Sequence, residues 1–388
     1  MNMDRKQLQK HLNELVVKIG PRVMGSREDQ AAIDYIVGLL DKWNVKTRLH
    51  EFQSPCWQHE KTSLRIAGTS RDLTAHACQY SEPCDLVGEV VHLESLNMVN
   101  NDPVRDRVCL IPAGVGKIVT DLNIVALALQ ARGAKALIVD RQHVRPNAYD
   151  GKIVREPDLR RMPVVCASHT SAKKILKERR PVRLRIEAYY FEGATCNIEA
   201  TIPGKGDGRV FVTAHRDTGA GAPGATDATG GLAIALEIAR ALAAEQPPYE
   251  TRILFTGAHE RLGMGAVHYA ADHELLLADA RQLVNLDGIG AKTSSPVASV
   301  EGDEEYAKRL KVFARAHQPL KLAAKDGLGG DVRPFADRGV NATWLRQPPK
   351  DHRYRVGHTQ FDDMNAIAIA NVEQIGRMAL DLVVLGLD

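Results

Sequence analysis

The stretch FVTAHRDTGAGAPGATDATGG, residues 211–231, decides how this chain is read. Its apolar start, with Val210, Phe211 and Val212, is β-branched and aromatic, which marks a buried strand. The strand stops at His215 and Asp217. A loop of glycine, alanine and proline then carries the chain to Asp227, and a helix is predicted from Gly231. Ligand-type side chains thus stand where a strand ends, and in open α/β sheets sites are built at the carboxyl ends of strands. Residue type and placement make His215 and Asp227 candidate metal ligands. Asp217 is expected to hold the imidazole from behind with its carboxylate.

From about residue 195 onward, strands alternate with helices, the pattern of a parallel sheet covered on both faces. Strands are predicted over 210–214, 252–256, 282–286 and 341–345, and helices over 231–244, 263–272, 304–317 and 364–387. Residues 287–303 read as loop or short strand. Toward the N-terminus, helices over 4–18 and 27–43 precede a strand over 45–52. Residues 54–190 differ in character. They hold most of the cysteines, several prolines, short β-like runs at 107–111 and 136–139, and a helix over 119–132. The expected fold is therefore α/β, a mixed, largely parallel sheet with helices on both faces. Residues 1–53 and 191–388 form its main domain, and residues 54–190 a smaller β-rich inserted one.

A length of 388 residues is enough for two domains, each with its own core; a formal charge of +3 gives no reason to expect nucleic acid or an anionic membrane as partner. No apolar run approaches the roughly 20 residues of a membrane span. The N-terminal segment is charged and amphipathic, without an apolar signal core. The six cysteines form no C-x-x-C pair and read as reduced thiols, so a cytoplasmic location is expected. The expected partner is a small molecule or short peptide, and exposed β structure in the inserted module is compatible with a homo-oligomer.

The same residue types recur after each later strand. The run over 252–256 leads into Gly257, Ala258, His259 and Glu260; the run over 282–286 meets Asp287 in NLDGIG; and GHTQFDD offers His358 before the last helix. His215, Asp227, Glu260, Asp287 and His358 make two imidazoles and three carboxylates at strand exits. With one carboxylate bridging, such a set suits two divalent metal ions, zinc by ligand type.

At these residues the chain resembles the co-catalytic zinc aminopeptidase family (M28-type), which includes bacterial leucine-type aminopeptidases, glutamate carboxypeptidase and glutaminyl cyclase. His215-x-Asp217, Asp227, Glu260 with Gly263, Asn285-x-Asp287 and His358-Thr359 with Asp362 follow the family order, and GPRVMGS and GGDVRPF match as well. The segment 54–190 resembles the protease-associated domain that many members carry. The resemblance implies that Asp227 bridges two metals, with His215 and Glu260 on opposite ions and Asp287 and His358 completing them.

Two positions depart from the family. Its members place two acids in tandem, the first being the general base; here the first is His259. A neutral imidazole can take a proton from an activated water as a carboxylate does, and the swap removes one negative charge from the pocket. The family often has Tyr before the last ligand histidine; here that residue is Gly357, with Tyr354 nearby. Arg333, Arg346, Arg353 and Arg355, close to His358 in sequence, could receive a substrate carboxylate in a bidentate fork. The resulting reading is a zinc metallopeptidase or amidohydrolase for a small, carboxylate-bearing substrate, with His259 as base and Asp217 behind the site. Acyl transfer, C–N elimination or a non-catalytic binding role are the competing readings.

Overall fold

The computed structural model describes residues 2–95, 98, 103–112, 122–140, 145, 147–149, 162–323, 328–349 and 355–387. In chain order, helices α1 (Arg5–Leu12) and α2 (Arg27–Lys42) lead into strand β1 (Lys46–Ile66). There follow β2 (Ala75–Ala77), β3 (Cys84–Gly88), β4 (Val90–His92), β5 (Val108–Pro112), α3 (Leu122–Ala131), β6 (Ala136–Asp140), β7 (Val164–Ala167) and α4 (His169–Glu178). Then come β8 (Val182–Ile202), β9 (Arg209–His215), α5 (Gly230–Ala244), β10 (Glu250–Thr256), α6 (Met264–Asp272) and β11 (Ala280–Leu286). The chain closes with β12 (Val297–Glu301), α7 (Glu304–Ala316), β13 (Lys321–Leu322), β14 (Ala342–Arg346) and α8 (Ile369–Leu385).

The main sheet runs β1-β8-β10-β9-β11-β14-β12-β13, with β3 added against β8. Its centre, β10-β9-β11-β14, is parallel; β8 runs antiparallel to both β1 and β10, and β12 is antiparallel to β14 but parallel to β13. Alternation along β9 shows why both faces are covered. Val210, Val212 and Ala214 face the core under α1, α2, α5 and α8, whereas Phe211 faces Tyr269 of α6 and Phe335 on the other side. Among the described residues, no helix is long and apolar enough to cross a membrane.

A second sheet, β2-β7-β6-β5-β4, has its own core built on Leu110, Leu137, Ile138 and Val165. β4 to β7 are parallel, and helices α3 and α4 lie in the same segment. VCLIP, ALIVD and VVCA are short, apolar and almost wholly buried, the form of strands covered on both faces. The strand expected over 45–52 is the start of a longer one. β1 and β8 each span 21 residues and pair from Lys46↔Thr201 to Ile66↔Val182, so residues 53 and 191 lie inside strands rather than in linkers. The stretch after Asp287 contains β12, which pairs antiparallel with β14.

Candidate metal centre

β9 ends on His215, and β11 ends one residue before Asp287; parallel pairing of the two strands sets both side chains at one edge of the sheet. His215 Nε2 lies 3.3 Å from Asp227 Oδ1 and 3.4 Å from Asp287 Oδ1. Asp227 Oδ2 is 3.4 Å from His358 Nε2, which is 3.0 Å from Glu260 Oε2. Asp227 therefore stands between two imidazoles, one oxygen toward each. The side chains fall into two sets of potential donors, His215, His259 and Asp287, and Asp227, Glu260 and His358, each with its donor atoms within 4.8 Å of one another.

Three devices hold Asp227 in place. Asp362 accepts hydrogen bonds from Thr226 N (2.8 Å), Thr226 Oγ1 (2.8 Å) and Asp227 N (3.0 Å). The first turn of α5 approaches the end of β11 so closely that a Cβ on Gly231 would sit 2.1 Å from the Leu286 carbonyl oxygen. Glycine at that position lets the helix start reach the strand end beside Asp287. The third is Arg22, a wholly buried residue of GPRVMGS. Its guanidinium donates to Arg216 O (2.7 Å), Pro223 O (3.2 Å) and Thr229 Oγ1 (2.8 Å), tying together both ends of the loop that carries Asp227.

Asp217 acts differently from expectation. His215 Nδ1 donates to the backbone oxygen of Asp217 at 2.9 Å, and the carboxylate is 4.0 Å from that nitrogen. The carboxylate turns instead to the next strand exit, accepting from His259 N and Glu260 N, each at 3.0 Å. The reason is local: in a tight turn after β9 the carbonyl is the nearer acceptor, and the amides of residues 259 and 260 have no strand partner beyond β10. Ala258 (φ 53°) and His358 (φ 65°) hold left-handed backbone without being glycine, a strain typical of functional sites.

The donor set fits cations. With Nδ1–H committed to a carbonyl, the lone pair on His215 Nε2 faces two carboxylate oxygens, a contact that needs positive charge between them. Glu260 Oε1 is buried with no hydrogen-bond partner among the described residues. Burial opposes charge on His215, yet Asp227 and Asp287 outweigh it and raise the imidazole well above its ordinary value. Burial, followed by the Asp227 carboxylate, pushes Asp362 up to about 7, and burial raises Asp217. On His259, burial and His215 oppose charge, while Asp331 and Asp287 prevail and raise it to about 9. The pocket thus gathers more negative charge than its imidazoles can neutralise, and divalent cations relieve that excess.

A cavity of about 120 Å³ opens beside Asp227 and Asp287, lined among others by Trp344, Arg346, Pro348 and Arg355. Arg346 also donates to Ser299 Oγ (3.1 Å) and lies over the Trp344 ring. Arg333 does not line it: its exposed side chain pairs with Asp337 at 2.7 Å, one turn along its own short helix. Arg353 and Tyr354 lie outside the described residues. A Cβ on Gly357 would fall 2.8 Å from Asp227 Oδ2, so the backbone here takes the space that a larger residue would need. Sequence reasoning assigned no role to Asp331 or Asp362, although both stand in quoted motifs, GGDVRPF and GHTQFDD; their burial and partners are set by the fold.

A largely parallel α/β sheet with imidazoles and carboxylates gathered at its strand exits defines the metal-dependent exopeptidase class of proteins. The profile described as peptidase family M28 matches residues 197–383. An aminopeptidase of Bacillus subtilis, YwaD, is 24% identical over 387 residues, covering 94% of this chain and 81% of the relative. A probable lipoprotein aminopeptidase of Mycobacterium tuberculosis, LpqL, is 26% identical over 329 residues, covering 81% and 62%. Among solved structures, a zinc aminopeptidase from Bacillus subtilis superposes with a TM-score of 0.81 at 22% identity, covering 98% of this chain and 95% of that one. An M28 peptidase precursor from Shewanella amazonensis gives 0.84 at 20%, covering 99% and 95%. The chain is thus similar to the aminopeptidases of peptidase family M28, whose profile covers residues 197–383.

Proposed function

We propose that this protein is a two-zinc aminopeptidase-type hydrolase acting on short peptides that end in a free carboxylate. The observation that carries this reading is Asp227, whose two oxygens face His215 and His358 at 3.3 and 3.4 Å. His215 and Asp287 would hold one ion and Glu260 and His358 the other, with Asp227 placed to serve both. When bound, the zinc ions polarise the scissile carbonyl and activate a water molecule. His259 accepts the proton of the attacking water and returns it to the leaving amine nitrogen. Asp217 and Asp362 keep the ligand-bearing turns in position. Arg346 and Arg355, at the cavity beside Asp227, receive the substrate carboxylate. The match of residues 197–383 to a peptidase family profile, and relatives named as aminopeptidases, favour hydrolysis over acyl transfer or elimination. The complete donor set argues against a binding-only role.

The test pairs metal content with turnover. Elemental analysis is expected to find two zinc ions per chain. A chelator should abolish hydrolysis of dipeptides and zinc should restore it, and a dipeptide should be cleaved at least tenfold faster than its C-terminal amide. Metal-independent cleavage would refute the mechanism; equal rates on acid and amide would refute the carboxylate preference.

A further inference from the structure

His259 has a partner with no assigned role. Its Nδ1 lies 3.0 Å from Asp331 Oδ1, an ion-pair contact, and neither of these buried atoms has a hydrogen-bond partner among the described residues. Asp331 is 1% exposed, and its second oxygen accepts from Thr256 Oγ1 at 2.5 Å, so the carboxylate is held from the end of β10. From the other side Gly330, with φ 57°, comes so close that a Cβ there would be 2.7 Å from His259 Cε1. The ring is also stacked on His215, centroids 3.8 Å apart and planes within 10°.

That stacking decides between two roles. A ring nitrogen of His259 lies within 4.8 Å of the donors of His215 and Asp287, which makes a third ligand to the same ion conceivable. An imidazole lone pair lies in its ring plane, however, and planes this nearly parallel do not meet within reach of either ring. The two imidazoles cannot serve one cation. What remains for His259 is to pair with Asp331 through Nδ1 and to exchange a proton through Nε2.

We propose that Asp331 is the positioning residue of a carboxylate–imidazole pair that stands where the family resemblance implies a carboxylate base. Bound cations oppose a charge on His259, and Asp331 keeps the one proton of the neutral ring on Nδ1, so that Nε2 presents its lone pair. In the reaction, Nε2 gains one proton from water and gives it to the leaving nitrogen, while Asp331 stays ionised throughout. The inference rests on the hydrolase reading above.

The experiment uses zinc-loaded protein and three variants, Asp331→Asn, Asp331→Glu and His259→Ala. Asp331→Asn is expected to lower kcat at least a hundredfold, within the range of lost general-base assistance, with KM within threefold and both zinc ions retained. Asp331→Glu should recover at least a tenth of the wild-type kcat. His259→Ala should also keep two zinc ions. Nitrogen-15 NMR of the imidazoles should show His259 protonated at Nδ1 in the wild type and not in Asp331→Asn. A kcat within threefold of wild type in Asp331→Asn, loss of one zinc ion in His259→Ala, or a wild-type His259 protonated at Nε2 alone would each overturn the proposal. Wild-type protein that binds zinc but cleaves no peptide would instead refute the hydrolase reading, and the NMR comparison would still decide the pairing.

Discussion

Replacing Asp217 by asparagine separates two accounts of this residue. If its carboxylate held His215, the ion bound by His215 and Asp287 would suffer. In the structure the imidazole is held by the Asp217 carbonyl, which any residue supplies, and the carboxylate holds the amides of His259 and Glu260. Asparagine keeps one of those two bonds and sets an N–H against the other amide. Hydrogen bonds to a charged group are worth about 1.5–3 kcal/mol each, so one lost and one weakened amounts to about 2–4 kcal/mol. Part is recovered by relaxation, and a 10–100-fold loss in affinity for the ion bound by Glu260 and His358 is expected. Loss of the charge itself weakens both ions, so the difference between them is the readout. Zinc titration against a competing chelator measures it in two backgrounds. In Asp217→Asn the weaker step should fall at least tenfold further than the tighter one. In Glu260→Gln, which retains the His215–Asp287 ion, adding Asp217→Asn should cost no more than threefold. A tenfold loss in that second background would refute the assignment.

Gly357→Ala places a methyl group 2.8 Å from Asp227 Oδ2 and should lower zinc affinity at least tenfold, while thermal unfolding of the metal-free protein moves by no more than a few degrees; unchanged affinity would show that the turn yields. Arg333→Ala removes an exposed ion pair and should leave kcat/KM on dipeptides within twofold, whereas Arg346→Ala, at the cavity, should raise KM at least tenfold for a dipeptide but not for its amide. Glu199 is 4% exposed; burial pushes its carboxyl up, but bonds from His50 and Tyr269 and the charge of Arg252 outweigh it and hold the group down to about 2. A lowered folded value means stability that is present above the ordinary carboxyl value and lost as pH falls through about 2, a contribution of about 3 kcal/mol. Glu199→Gln should therefore unfold more easily than wild type at pH 6, by urea denaturation, with the gap closing between pH 4.5 and 2; a gap independent of pH would refute this.

The central strands, the helices between them and the five ligand-type residues were legible in the chain because each is a local signal. A buried parallel strand is a short apolar run, a helix repeats every 3.6 residues, and a strand exit marked by His, Asp or Glu needs no distant partner to be noticed. The amino-acid sequence alone also flagged His259, since an imidazole in place of an acid is visible one position at a time. Tertiary structure decided what these residues touch. Asp217 serves the turn at residue 259 rather than His215 because two strand exits meet there, some 40 positions apart in sequence. Arg333 and Arg346 look alike in the chain, yet one lies on an exposed helix turn and the other at a cavity, a difference of burial that no spacing carries. Asp331 acquires its role only because β10 and the turn before Phe335 pack around one imidazole. Local pattern sets which side chains are offered; the direction each one points is fixed by contacts between segments remote in the chain.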